Sequence, residues 1–70
     1  MLPLSFATPH EEYIIKKISG DLELKNYLSH LGFITGASIM LLKKIDDSFI
    51  VKVKESRVAL SEDLTRHIYI

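Results

Sequence analysis

Cysteine is absent from this chain, which excludes a disulfide framework and any thiolate metal site. Small secreted domains normally carry such staples, so the expected compartment is the reducing cytoplasm. No apolar run approaches the roughly 20 residues needed to span a bilayer. The opening Met1-Leu2-Pro3-Leu4-Ser5-Phe6 lacks the basic and long apolar regions of a signal peptide. A soluble chain with no direct membrane insertion is therefore expected. An excess of one charge is missing as well, because nine basic residues cancel nine acidic ones. A nucleic-acid binder shows a basic excess clustered on one face. Here Lys16-Lys17, Lys43-Lys44 and Lys52/Lys54 alternate with apolar strand residues and read as solvated strand faces and edges. No nucleic-acid partner is expected.

The constellations of catalysis are missing too. None of the serines sits in a G-x-S-x-G elbow, and no glycine-rich phosphate loop occurs. Asp46-Asp47 is a carboxylate pair, but in a hairpin turn aspartates serve the backbone. The histidines, His10, His30 and His67, have no metal-motif spacing. His10-Glu11-Glu12 is the only dense set of donors, and alternation along a strand lets only His10 and Glu12 face one ion. The expectation is no enzyme and no cofactor. Weak binding of Fe²⁺ or another divalent metal by His10, Glu12 or His67 is the alternative.

What is present is 47% apolar residues, too many for a disordered tail, in 70 residues, which is room for one small domain spanning 1–70. Leu24, Tyr27, Leu28 and Leu31 follow the i, i+3, i+4, i+7 spacing of a helix with one buried face. Leu24 and Leu31 lie at the middle of that stripe, with Tyr27 and Leu28 on its edges. Asp21 or Ser19 can cap its start. Gly32 stands where a helix end favours a left-handed residue, and Phe33 where such ends fold an apolar side chain back. Thr35-Gly36 fits a type II turn, with Gly36 at the position that needs positive φ. Gly32 and Gly36 are thus structural turn residues.

Elsewhere the pattern reads as strand and turn. Leu2–Phe6 is an edge strand or extended arm, Tyr13–Ile18 a long first strand, and Ala37–Ile45 and Phe49–Lys54 a hairpin around Asp46-Asp47-Ser48. Val58–Leu60 and Ile68–Ile70 are short strands, separated by a single capped helical turn at Ser61–Leu64. The expected fold is mainly β: a small, strongly bent barrel of five or six short strands, with one α-helix after the first long strand and Leu24 and Leu31 plugging the barrel. With chemistry absent, function is expected in contact. The candidate partner-binding residues are Tyr27, Leu28, Phe33 and Ile34 around the helix end, and Met40 and Phe49 near the hairpin. Tyr27, Phe33 and Ile34 could equally serve a homo-oligomer.

The ordered set Ile18-Ser19-Gly20-Asp21, Leu24 through Leu28, and Leu31-Gly32-Phe33-Ile34-Thr35-Gly36 resembles the signature of ferrous iron transport protein A, the FeoA family. Leu4-Ser5, Val51-Lys52-Val53-Lys54, Ser56-Arg57-Val58-Ala59-Leu60 and His67-Ile68-Tyr69-Ile70 are similar to its remaining segments, so the resemblance covers essentially the whole chain. It implies an SH3-like β-barrel and a bacterial, cytoplasmic, non-catalytic accessory protein. The implied partner is the FeoB-type ferrous iron transporter, whose nucleotide-binding cytoplasmic domain it would bind and modulate. Similar barrels form the C-terminal domain of DtxR-type metal-dependent repressors. The alternative is therefore a metal-sensing or peptide-binding SH3-like domain. The chain departs from the family's Pro-Gly turns: His10 follows Pro9 and Thr35 precedes Gly36, so Pro9-His10 is expected to form a type I turn. Its hairpin loop is short, and Glu55 stands where glycine is common.

Overall fold

A computed structural model describes residues 1–70. Its strands are β1 (Glu12–Ile14), β2 (Lys17–Ile18), β3 (Ser38–Ile45), β4 (Ser48–Val53), β5 (Ser56–Ser61) and β6 (Ile68–Tyr69). The main helix α1 spans Leu22–His30, and a one-turn helix α2 spans Glu62–Thr65. The strands form two antiparallel sheets, one ordered β1-β3-β4-β5 and one pairing β2 with β6. They do not close into one hydrogen-bonded barrel.

The long first strand expected over Tyr13–Ile18 is divided, and the reason is visible in its hydrogen bonds. Ile15 N–H donates to the Ala37 carbonyl, on the side of the larger sheet. Lys16 N–H donates to the Tyr69 carbonyl, on the smaller one. The chain changes sheets there, with Ile15 buried at the crossing. Consequently α1 follows the two-residue strand β2 and not a long first strand. Leu2–Phe6 is not a strand either. Leu4–Phe6 forms a 3₁₀ turn, while Leu2 exchanges backbone hydrogen bonds with Ile70 and fastens the two ends of the chain together. The turn expected at Ser61–Leu64 is the α-helical α2, capped by Ser61 Oγ, which accepts from Leu64 N–H at 3.4 Å.

Within the larger sheet, Ile39, Leu41, Phe49, Val51, Val53 and Leu60 point into the core. A β-bulge between Leu41 and Lys43 reverses the alternation of β3, so that Lys43 lies opposite Ile50 and Lys44 opposite Phe49. Lys44 Nζ stands 5.4 Å from the centre of the Phe49 ring. Strict alternation after Leu41 would direct Lys43 toward the core face, and the bulge turns it outward, opposite Ile50.

The helix turns a different side to the core than its sequence stripe suggests. Leu28 is completely buried, Leu24 and Leu31 are only half-buried, and Tyr27 is exposed. The stripe is rotated toward Leu28, which occupies the central place assigned to Leu24 and Leu31. Asp21 caps the start, its Oδ1 accepting from Leu24 N–H at 2.9 Å. At the end, Gly32 N–H donates to the Ser29 carbonyl (3.0 Å) and Phe33 N–H to the Leu28 carbonyl (2.9 Å). These are the paired bonds of a Schellman motif, with Gly32 at φ +102°.

Pro9-His10 does not adopt the expected type I turn. His10 has φ +68°, and Glu11 N–H donates to the Thr8 carbonyl at 3.3 Å. Positive φ at the third residue of four is the signature of a type II turn. The His10 N–H also donates to the Leu41 carbonyl at 2.8 Å, which fixes the turn against β3. The exposed His10 side chain thus occupies a conformation that suits glycine. His10→Gly is expected to raise stability by about 1 kcal/mol and the melting temperature by about 4–8 °C. Thermal denaturation followed by circular dichroism checks this, and an unchanged or lower midpoint would contradict it.

Candidate partner-binding surface

The face of the larger sheet that looks away from the core has mixed apolar and charged character. Register aligns Glu12 with Met40 and Met40 with Lys52, and Lys52 with Arg57. One row beyond, Ile14 pairs with Ser38. Glu12, Ser38, Ile39, Met40, Lys52 and Lys54 line an open cleft of about 210 Å³ there. This is smaller than the roughly 300–1,000 Å³ of sites that enclose a small molecule. Half-buried Met40 lies between a carboxylate and a lysine, and Ile14 beside it is 51% exposed. Neither Lys52 nor Lys54 is held in an ion pair, since the only ion pairs join Arg66 to Glu62 and Asp63. An apolar centre with charges free at its rim is the chemistry of a protein-contact surface.

Two further exposed apolar side chains, Tyr27 and Ile34, lie around the end of α1. Tyr27 is 53% exposed and Ile34 is 48% exposed. The turn at Ile34–Ala37 closes with Ala37 N–H donating to the Ile34 carbonyl at 3.0 Å, and Gly36 has the positive φ (+93°) expected of it. Gly36 N–H then donates to the Ile15 carbonyl at 2.8 Å. The turn is thus pinned to the sheet and leads directly into Ser38 of the cleft.

Of the six candidate contact residues, the structure leaves Tyr27 and Ile34 exposed and Met40 half-exposed. It corrects the other three: Leu28, Phe33 and Phe49 are core residues, each at most 3% exposed. Phe33 is taken inward by the Schellman motif, and Phe49 by its alternation with Val51 and Val53 along β4. Sequence reasoning missed Ile14, whose place inside an expected long strand gave no hint of its outward direction, and Lys52, which was read only as a solvated strand face.

The candidate metal donors are dispersed. His10 lies on its turn and Glu12 lies on β1, in the cleft. Half-buried His67 lies before β6, with Nδ1 3.0 Å from Ser19 Oγ. No group of three or more histidine, aspartate or glutamate side chains is gathered to hold an ion. His10, Glu12 and His67 lie on three separate segments of the fold.

No helix is long and apolar enough to cross a membrane. A family model described as the FeoA domain matches residues 2–70. No curated protein matches the chain by sequence. Among solved structures, an iron uptake regulatory protein (FeoA) is 26% identical with a TM-score of 0.88, the alignment covering 96% of this chain and 91% of that one. A Stenotrophomonas maltophilia FeoA complexed with zinc, described as a procaryotic SH3 domain protein, is 19% identical with a TM-score of 0.83, covering 99% and 88%. ScaR with bound zinc is 24% identical with a TM-score of 0.87, and 99% of this chain matches 35% of that one. The two-sheet arrangement is therefore an SH3-like fold.

Proposed function

The chain belongs to the FeoA domain family, and on that premise we propose that it is a non-catalytic cytoplasmic accessory protein of ferrous iron transport. It binds the cytoplasmic domain of a FeoB-type transporter and modulates it, with iron as the transporter's cargo. The observation that carries this reading is the family match over residues 2–70. The surface agrees with it. Tyr27, Ile34 and Met40 offer apolar contact area on elements that the core holds rigid, and Lys52 and Lys54 supply charge at the edge of the patch. Rigid anchors lose little conformational entropy when a partner covers them.

Calorimetric titration of the chain with the transporter's cytoplasmic domain should give a saturable heat. Ile34→Asp should weaken that binding at least about tenfold, because a charge enters an apolar contact, with little change in melting temperature because the side chain is already half in water. An absence of heat, together with nucleotide hydrolysis by the transporter unaltered on adding the chain, would sink the proposal.

A further inference from the structure

The free edge of the larger sheet has a polarity that fits a second copy of this chain. β5 is the terminal strand of that sheet, and its pairing with β4 runs without a register shift from Ser48↔Ser61 to Val53↔Ser56. Lys54 and Glu55 form the two-residue turn between them, so Val53 and Ser56 close the hairpin as a hydrogen-bonded pair. Alternation then makes Val51–Val58 and Phe49–Leu60 hydrogen-bonded as well. Arg57, Ala59 and Ser61 consequently aim their N–H and C=O groups away from β4. No turn, loop or cap hydrogen bond uses the backbone of Arg57 or Ala59, and both residues are exposed. The strand has no proline and no bulge, the usual blocks on edge pairing.

Charge is distributed unequally along this edge. At one end stand Arg57 and its cross-strand neighbour Lys52, neither in an ion pair. At the other end Asp47, Ser61, Glu62 and Asp63 line a cleft of about 250 Å³ with no apolar residue in it. Arg66 is the only cation in an ion pair with these carboxylates, at 3.3 Å from Glu62 and 3.7 Å from Asp63. Asp47 is in no ion pair, so the cleft keeps a surplus of negative charge.

We propose that two copies of this chain pair antiparallel through β5, about a twofold axis at Ala59, with Arg57 of each copy directed into the Asp47/Glu62/Asp63 cleft of the other. In this register Ala59 faces Ala59 and Arg57 faces Ser61. The Ala59 pair exchanges both of its bonds, and each Ser61 N–H reaches the facing Arg57 carbonyl, making about four inter-chain bonds while α2 stays intact. The small alanine leaves no side-chain bulk at the axis. An axis at Val58 would instead place the two arginines in diagonal contact, where like charges repel. Charge therefore selects the Ala59 register, and a self-complementary edge forms a closed dimer. The interface is small, so the dimer is a weak one. This pairing goes beyond the transporter reading and does not depend on it.

The test is a charge exchange followed by sedimentation and by amide hydrogen exchange. Self-association of the unaltered chain should rise with protein concentration and fall with salt, and protection of the Ala59 N–H should rise with it. Val58 N–H, already bonded to β4, should not change. Arg57→Glu should weaken self-association at least about tenfold, because each interface contains that contact twice and attraction becomes repulsion. Asp47→Lys/Asp63→Lys should do the same. An equimolar mixture of the two variants should recover the dimer, since every arginine or glutamate then meets a cleft of opposite sign. A mixture that associates no better than either variant alone would overturn the proposal. So would Ala59 protection in the unaltered chain that is independent of concentration, a result that holds even if a variant fails to fold.

Discussion

Leu28→Ala should be the most damaging truncation on α1, lowering stability by about 3 kcal/mol. Leu28 has no exposure at all, and both neighbouring turns of its helix leave their leucines only half-buried. The one face that α1 gives to the core therefore converges on this side chain. Removing its branched end would leave a void lined by other fully buried residues, and a core this small has few side chains able to collapse into it. A 70-residue chain has a total stability of roughly 3.5–10 kcal/mol, so the loss is a large fraction of the whole. Tyr27→Ala, one residue earlier and 53% exposed, should cost less than about 0.5 kcal/mol. Urea unfolding discriminates the two: the Leu28 variant should move the midpoint sharply with an unchanged slope. Comparable losses at both positions would mean that the helix is not rotated toward Leu28.

That rotation marks a boundary of what the residues reveal on their own. Helical spacing finds the stripe Leu24, Tyr27, Leu28 and Leu31, but four residues within roughly a quarter to a third of a turn cannot say which is central. The packing partners decide that, and they come from the sheet. The hairpin strands, the Asp21 cap and the Gly32 stop were legible because each depends on neighbours in sequence. The crossing at Ile15 was not, because a strand that serves two sheets reads like one long strand until Ala37 and Tyr69 are known to receive its successive N–H groups. Positive φ at His10 was hidden for a similar reason. The type II turn is imposed by the His10 bond to Leu41, a residue far along the chain. At the candidate surface, helical and strand spacing leaves open which apolar residues stay outside: Tyr27 and Ile34 are exposed, whereas tertiary packing consumes Leu28, Phe33 and Phe49. The free edge of β5 was invisible for the deepest reason, since an edge exists only once the order of strands is known.

Gly32→Ala should cost about 2–3 kcal/mol, whereas Gly36→Ala should cost about 1 kcal/mol, although both glycines have nearly the same backbone angle. Gly32 has φ +102° and Gly36 φ +93°, so an L-residue is strained at either position. The surroundings differ. A Cβ on Gly32 would lie 3.2 Å from Val53 Cγ2, while one on Gly36 meets nothing within 4 Å. Val53 is a core residue of β4 with 1% exposure, and it cannot retreat without disturbing its neighbours. The alanine therefore adds crowding to conformational strain, and relief would come by loosening the Schellman bonds from Gly32 to Ser29 and from Phe33 to Leu28. Those bonds turn Phe33 into the core and leave Ile34 outside. The Gly32 variant should thus lose stability and also bind the transporter's cytoplasmic domain less tightly, through Ile34, even below its melting temperature. The Gly36 variant separates the two effects, because it places a similar backbone strain in the next turn, Ile34–Ala37, without touching Val53. Chemical denaturation of both variants measures the difference, and equal losses would show that the contact with Val53 adds nothing.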